Sequence, residues 1–226
     1  MAAHDRMIVA AILVAAGAGV RLGADVPKAF VEVAGRTLLE HAVDRFITHP
    51  AVRDVVVAVP VAAVDRAGSL APGATVVAGG ADRQSSVSCG LAAVAHDADL
   101  VLVHDVARAF VPPEVITRVV AALSAGADAV VPAVPVSDTI RSVDAETGDL
   151  GGIVDRAQLA AMQTPQGFRR DVLVRAHAAG AGRRATDDAA LVEALGLHVR
   201  AVAGDERAFK ITHPLDLALA EVVARA

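Results

Sequence analysis

The chain has 226 residues, 54% of them hydrophobic, a net charge of -5 and a mean hydropathy of +0.51. That length and apolar content suffice for one α/β domain. The acidic balance, the lack of any basic run and the absence of Trp and Tyr argue against a nucleic-acid partner held by charge or by base stacking.

A single cysteine, Cys89, excludes an intramolecular disulfide and suits a reducing, cytoplasmic compartment. The histidines show no pair at metal-ligand spacing. No apolar stretch reaches the ~20 residues of a membrane span. Arg6 followed by apolar Met7–Ala16 has the form of a secretory signal, but the run leads straight into a glycine turn with cations, and it is read as a strand.

That first run, Ile8–Ala16, is apolar throughout, as a strand buried on both faces must be. It breaks into Gly17, Ala18 and Gly19, where the backbone can approach a ligand closely, and the cations Arg21 and Lys28 follow. Backbone N–H groups and fixed charges converging at such a turn cradle a polyphosphate. The dinucleotide fingerprint fails because Leu22 stands where its last glycine belongs, and no Gly-Lys-Ser/Thr triplet exists for a Walker A loop.

Thr37-Leu38-Leu39-Glu40 has the form of a capping box opening a helix to about Thr48. Strands are predicted at Asp54–Val59 and Ala74–Ala78, the latter closed by Gly79-Gly80. Val87, Leu91 and Val94 give helical spacing over Gln84–Ala95. Leu100–Val103 is a further strand, running into His104-Asp105. Pro112-Pro113-Glu114 starts a helix ending near Gly126, and Ala129–Val134 is the fifth strand. Such alternation of apolar strands with helices predicts a Rossmann-like domain, its mostly parallel sheet covered by helices on both faces.

The pattern changes after Pro135. Residues to Val154 alternate in polarity around the turn Thr147-Gly148-Asp149, which predicts a projecting β-hairpin whose exposed face would pack on a second subunit. Gln163–Phe168 returns the chain to the body. Helices at Asp171–Ala179 and Asp187–Leu195, a strand at His198–Val202, an extended Phe209–Ile211 and a helix from Pro214 complete it. No repeat or linker divides residues 1–226, so one domain is expected, with residues 135–160 as a dimerisation arm.

Of 21 basic residues only Lys28 and Lys210 are lysines. In a chain that otherwise uses arginine, a lysine marks a site wanting a compact ammonium. Ligands of an open parallel sheet sit at the carboxyl ends of its strands. The segments there are Gly17–Lys28, Gly79–Ser86, His104–Arg108, Ser137–Thr139 and Lys210–Thr212. Gly80, Arg83 and Ser86 can reach a nucleotide, Ser86 opening a helix whose N-terminus favours anions. Asp105, directly after a buried strand, is placed to ligate Mg²⁺ or a hydroxyl. Arg108, Arg156 and Lys210 can clamp a second phosphate.

Ala15-Ala16-Gly17-x-Gly-x-Arg21, Pro27-Lys28, Gly79-Gly80-x-x-Arg83-x-x-Ser86-Val87, His104-Asp105-x-Ala107-Arg108, Asp138-Thr139, Asp155-Arg156, Thr164-Pro165-Gln166, Thr186-Asp187 and Lys210-Ile211-Thr212 together resemble the methylerythritol phosphate cytidylyltransferases. The resemblance runs from about Ile8 to Leu219. It implies CTP and methylerythritol phosphate as substrates, CDP-methylerythritol and pyrophosphate as products, Mg²⁺, and a homodimer whose arm completes the partner's site. By motif, Ala15, Ala16, Gly17, Gly80 and Ser86 would hold CTP, with Arg83 beside them. Arg21 and Lys28 would contact its phosphates. Asp105 and Arg108 would border the second substrate, and Thr139, Arg156, Thr164 and Lys210 would place its phosphate.

Four positions depart from the family pattern. Val20 replaces a frequent basic residue, Ala29 a common Gln, and Ala81 an occasional acid, while Val106 replaces the usual alanine after His-Asp. A ribitol phosphate cytidylyltransferase and a nucleotide-sensing module without turnover are the competing expectations.

Overall fold

The computed structural model describes residues 7–15, 22, 26–182 and 185–225. The Ala16, Gly17 and Arg21 predictions lie outside them. In chain order the elements are β1 (Val9–Val14), β2 (Glu32–Val33), β3 (Arg36–Thr37), α1 (Leu38–Ile47), β4 (Val52–Val59), α2 (Val64–Leu70), β5 (Thr75–Ala78) and α3 (Arg83–Ala93). Then come β6 (Leu100–Asp105), α4 (Pro113–Ser124), β7 (Ala129–Pro135), β8 (Ile140–Val143), β9 (Leu150–Val154), β10 (Ala160–Met162) and β11 (Gln166–Arg169). The chain closes with α5 (Arg170–Ala179), α6 (Asp188–Glu193), β12 (Val199–Ala203) and α7 (Pro214–Ala224).

The main sheet runs β10-β7-β11-β6-β1-β4-β5, with β12 paired to β7. β6-β1-β4-β5 and β12-β7 are parallel, while β11 lies antiparallel between β6 and β7 and β10 extends that antiparallel pairing along β7. The strands are apolar throughout because both faces are covered. Val9, Ala11 and Leu13 of β1 enter one core cluster and Ala10, Ile12 and Val14 the other. The first cluster takes Phe46 of α1, Ile116 of α4 and Ala220 of α7; the second takes Leu91 of α3, Leu173 of α5 and Val192 of α6.

Local chemistry sets the ends of the elements. Thr37 caps α1 as its sequence predicts: its hydroxyl accepts from the Glu40 amide at 3.2 Å and the Glu40 carboxylate accepts from the Thr37 amide at 2.8 Å. α3 starts earlier than the apolar spacing indicates. Asp82 is its N-cap, accepting from the Ser85 amide at 2.7 Å, so Ser86 lies one turn inside the helix rather than at its start.

Phe209–Ile211 is a connection outside the strands, as expected. Two further differences reflect weak periodicity. The segment Gln163–Phe168 contributes a whole strand, β11, despite the Pro and Gly that argue against one. Elements β2, β3, β10 and α2 are too short to leave a pattern. The hairpin is β8 with β9, narrower than Pro135–Val154 because Pro135 still belongs to β7. Its turn contains Gly148 at φ 76° and is held by Asp144, whose carboxylate accepts from the Glu146 and Thr147 amides at 2.9 Å each. Its strands expose Val143, Leu150 and Ile153 at 60%, 61% and 71%.

Candidate active site

At the carboxyl ends of β1, β5 and β6 lies a cleft of about 230 Å³, reached also by the 3-10 turn at Lys28–Phe30 and by the β12–α7 connection. Its lining among the described residues includes Ala15, Lys28, Asp82, Arg83, Asp105 and Lys210. Three cations and two carboxylates thus meet there, with no serine, cysteine or histidine in that lining.

Backbone pairing brings the two lysines together. The Ile211 amide donates to the Ala107 carbonyl at 2.8 Å, fixing the β12–α7 connection beside the end of β6. The Lys28 ammonium donates to the Ile211 carbonyl at 2.9 Å, and Lys210, one residue earlier, donates to Asp105 Oδ2 at 2.7 Å. Asp216 anchors the next turn by accepting from the Thr212 and His213 amides at 2.7 Å each.

Asp105 is the hub. Arg83 Nε donates to its Oδ1 at 2.9 Å, and its own amide donates to the Thr164 hydroxyl at 3.1 Å. Burial opposes its charge, but the Arg83 guanidinium and the Lys210 ammonium outweigh that and hold the carboxyl well below the usual carboxylate range. A carboxylate so held is a poor proton acceptor. Both its oxygens are committed to cations, and the described residues contain no group of three His, Cys, Asp or Glu side chains suited to a metal. Asp105 therefore does not fit the role of Mg²⁺ ligand that its position after β6 suggests.

Thr164 is buried, and its hydroxyl stands 3.0 Å from His104 Nδ1. It accepts from the Asp105 N–H and pairs with His104 Nδ1, while His104 Nε2 is buried with no hydrogen-bond partner among the described residues. Burial, reinforced by the charge of Arg108 and opposed by that of Asp105, pushes His104 down to about 3, so the ring is neutral. Thr164 thus braces the base of Asp105 through its hydroxyl.

The glycine loop before α3 is tied down by Ser86, which is fully buried. Its hydroxyl accepts from the Gly80 amide at 3.1 Å and donates to the Asp82 carbonyl at 2.7 Å. A Cβ on Gly80 would overlap the Ser85 side chain, so the close turn requires glycine. Ser86 therefore shapes the loop with its hydroxyl.

Other predicted residues stand apart. Arg108 Nη1 donates to the Ala208 carbonyl at 2.8 Å and Nη2 to that of Met162 at 3.1 Å, a brace across the cleft rim. Burial lowers its guanidinium pKa, with Asp105 offsetting part of the effect. Thr139 and Arg156 are exposed at the base of the hairpin, where Arg156 Nη1 donates to the Ser137 carbonyl. Arg108, Arg156 and Lys210 therefore do not converge within one chain. Sequence reasoning missed Asp82, although Asp-x-x-Ser ahead of a helix is a cap signal, and it missed Asp188, which accepts from Arg83 Nη1 at 2.6 Å.

A cleft of fixed cations around an ionised, fully engaged carboxylate stabilises developing negative charge and orients anions. The comparisons with known proteins agree. Residues 9–226 match the family model for 2-C-methyl-D-erythritol 4-phosphate cytidylyltransferase (IspD). The enzyme of that name from Rhodococcus opacus (strain B4) is 54% identical over 222 residues, 98% of this chain and 97% of the relative. The crystal structure of the Thermus thermophilus enzyme is similar at 42% identity and a TM-score of 0.80, covering 96% of this chain and 98% of that one. That of 4-diphosphocytidyl-2C-methyl-D-erythritol synthase from Anaerococcus prevotii DSM 20548 reaches a TM-score of 0.86 at 25% identity, covering 98% of both chains. This chain belongs to the 2-C-methyl-D-erythritol 4-phosphate cytidylyltransferase family.

Proposed function

We propose that the cleft around Asp105 transfers CMP from CTP to 2-C-methyl-D-erythritol 4-phosphate, releasing pyrophosphate. An oxygen of the alcohol phosphate forms a bond to the α-phosphorus of CTP, and the bond from that phosphorus to the β-phosphate oxygen breaks. The nucleophile is already an anion, so no general base is needed, in keeping with a lining that among the described residues holds no serine, cysteine or histidine. The difficulty is bringing two polyanions together and stabilising the charge that builds on the α-phosphate and the leaving group.

The observation that carries this reading is the meeting of Lys28 and Lys210, the only two lysines of the chain, around Ile211. Lys28 and Arg21 would hold the CTP phosphates. Ala15, Ala16, Gly17 and Gly80 would hold its nucleoside, in a pocket that Ser86 and Arg83 shape. Lys210 and Asp105 would border the alcohol phosphate, with Arg108 at the rim. Residues 1–226 would act as one domain in the cytoplasm. The arm, residues 135–160, would pair two copies and lend Thr139 and Arg156 to the neighbouring cleft. Mg²⁺ would enter with the CTP triphosphate, because Asp105 is occupied.

The family match favours methylerythritol phosphate over ribitol phosphate, and the lysine pair favours turnover over mere sensing. Pyrophosphate release, measured with CTP, UTP and ATP against both alcohol phosphates, tests all three readings. The expected result is release only with CTP and methylerythritol phosphate. Faster turnover of ribitol phosphate, or none with any pair, would overturn the proposal.

A further inference from the structure

Two motifs noted in the sequence, Thr164-Pro165-Gln166 and Thr186-Asp187, have no part in the chemistry above beyond Thr164. They meet at the start of α6. Gln166, 2% exposed on β11, donates through Nε2 to Asp187 Oδ2 at 2.7 Å and accepts from the Ala189 amide at 3.2 Å. Asp187 in turn caps the helix, accepting from the Ala190 amide at 3.0 Å. One amide side chain thereby fixes the first turn of α6 against the sheet. The residue between those anchor points, Asp188, is 1% exposed.

Asp188 accepts from Arg83 Nη1 at 2.6 Å, and its other oxygen lies 2.8 Å from His177 Nε2. His177 Nδ1 is 2.9 Å from the Ser88 hydroxyl, so the ring is held at both nitrogens. From Asp188 the contacts run outward through Arg83 to Asp105 and from Asp105 to Lys210, each link between 2.6 and 2.9 Å. Charges alternate along the row, negative, positive, negative, positive, and every member but Asp188 borders the cleft. A guanidinium presents donors along more than one edge, so Arg83 bridges the two carboxylates through separate nitrogens, Nε to Asp105 and Nη1 to Asp188.

We propose that Asp188 is a positioning residue for nucleotidyl transfer: through Arg83 it fixes the Asp105 carboxylate, and with it the Lys210 ammonium. The inference rests on the reading of this cleft as the cytidylyl-transfer site. Without the charge of Asp188, Arg83 is anchored at one end only and is free to turn about its contact with Asp105. Lys210 then faces a carboxylate that is no longer held from behind. Small displacements of a charge at a reacting centre are expensive in rate.

The test is D188N in the 226-residue chain, which keeps the shape and one acceptor oxygen, available to Arg83, but removes the charge and puts an N–H donor in place of the other oxygen. Pyrophosphate release from CTP and methylerythritol phosphate should show kcat lowered on the order of 10-fold, with KM for CTP changed about 2-fold or less. In an Arg83→Met background, where the bridge is removed, D188N should cost nothing further, because the two changes act on one link. A Tm loss with unchanged kcat per folded molecule would assign Asp188 to stability alone, and additive losses of kcat in the double variant would remove Arg83 as its route; either result overturns the inference. Where D188N does not fold, Gln166→Met releases the first turn of α6 with every charge of the row in place. A several-fold loss of kcat is expected there, and none would overturn the inference equally. Wild-type protein without turnover would instead overturn the reading of the cleft and this inference with it. Wild-type turnover matched by D188N overturns the inference alone.

Discussion

At the scale of single residues, the cleft separates groups that line it from groups that hold those in place. Lys28 is of the first kind: it lines the cleft, and its ammonium is fixed on the Ile211 carbonyl. Losing one preorganised cation at a developing charge costs about 3–4 kcal/mol of barrier, roughly 10²–10³-fold in kcat. Lys28→Ala is expected to show that loss with an unchanged unfolding midpoint, and near wild-type kcat would refute its role. His104 is of the second kind, and its signature lies in stability. Its folded pKa, about 3, is below the ordinary 6.5, so the unfolded chain binds a proton in this window that the folded chain does not. The contribution of His104 is present in full above about 6.5 and is lost as pH falls toward 3. The slope is on the order of 1 kcal/mol per pH unit. His104→Gln should flatten the dependence of the urea midpoint on pH between 7 and 4, and parallel curves for the two proteins would contradict this. Asp105, held low by Arg83 and Lys210, acts in the same direction in a lower window, below the ordinary carboxylate range.

At the scale of elements, β11 shows how close packing overrides sequence pattern. It lies between β6 and β7, and α4 rests on Gly167, where a Cβ would overlap Val119 and come within 2.7 Å of Leu123 Cδ1. Gly167→Ala should therefore destabilise the fold by about 1–3 kcal/mol through overpacking, with kcat per folded molecule retained. A midpoint equal to wild type would mean that α4 yields without cost. The same glycine, beside Pro165, hides the strand from a reading based on period and propensity. What was legible had strong local causes: the two-faced apolar runs of β1, β4, β6 and β7, the Thr37–Glu40 capping box of α1, and the Gly148 turn of the hairpin. The site was legible where chemistry concentrates at strand ends, as at Lys28, Arg83, Asp105 and Lys210. Asp188 was not, because its meaning comes from Arg83, which is 105 positions away and reached only through the fold. Nor could the sequence tell that the hydroxyls of Thr164 and Ser86 are already engaged by the protein.

At the scale of the whole molecule, the open question is how many chains make one site. The hairpin exposes Val143, Leu150 and Ile153 at 60% or more, and a two-stranded hairpin with such a face has little stability unless it packs on something. Thr139 and Arg156 sit at its base, outside the lining of the cleft that Lys28 and Lys210 border. If the arm reaches a second copy, Lys28 serves its own cleft and Arg156 the partner's. Lys28→Ala and Arg156→Ala proteins should then each be inactive alone and partly active when mixed under conditions that exchange subunits. In a mixed dimer one cleft carries both lesions and the other neither. Random pairing makes about half of the dimers mixed, each with one of its two clefts intact, so roughly a quarter of wild-type activity returns. If both residues serve the same chain, every cleft keeps one lesion and mixing restores nothing. Subunit exchange confirmed by mass, with no activity regained, would refute the shared site.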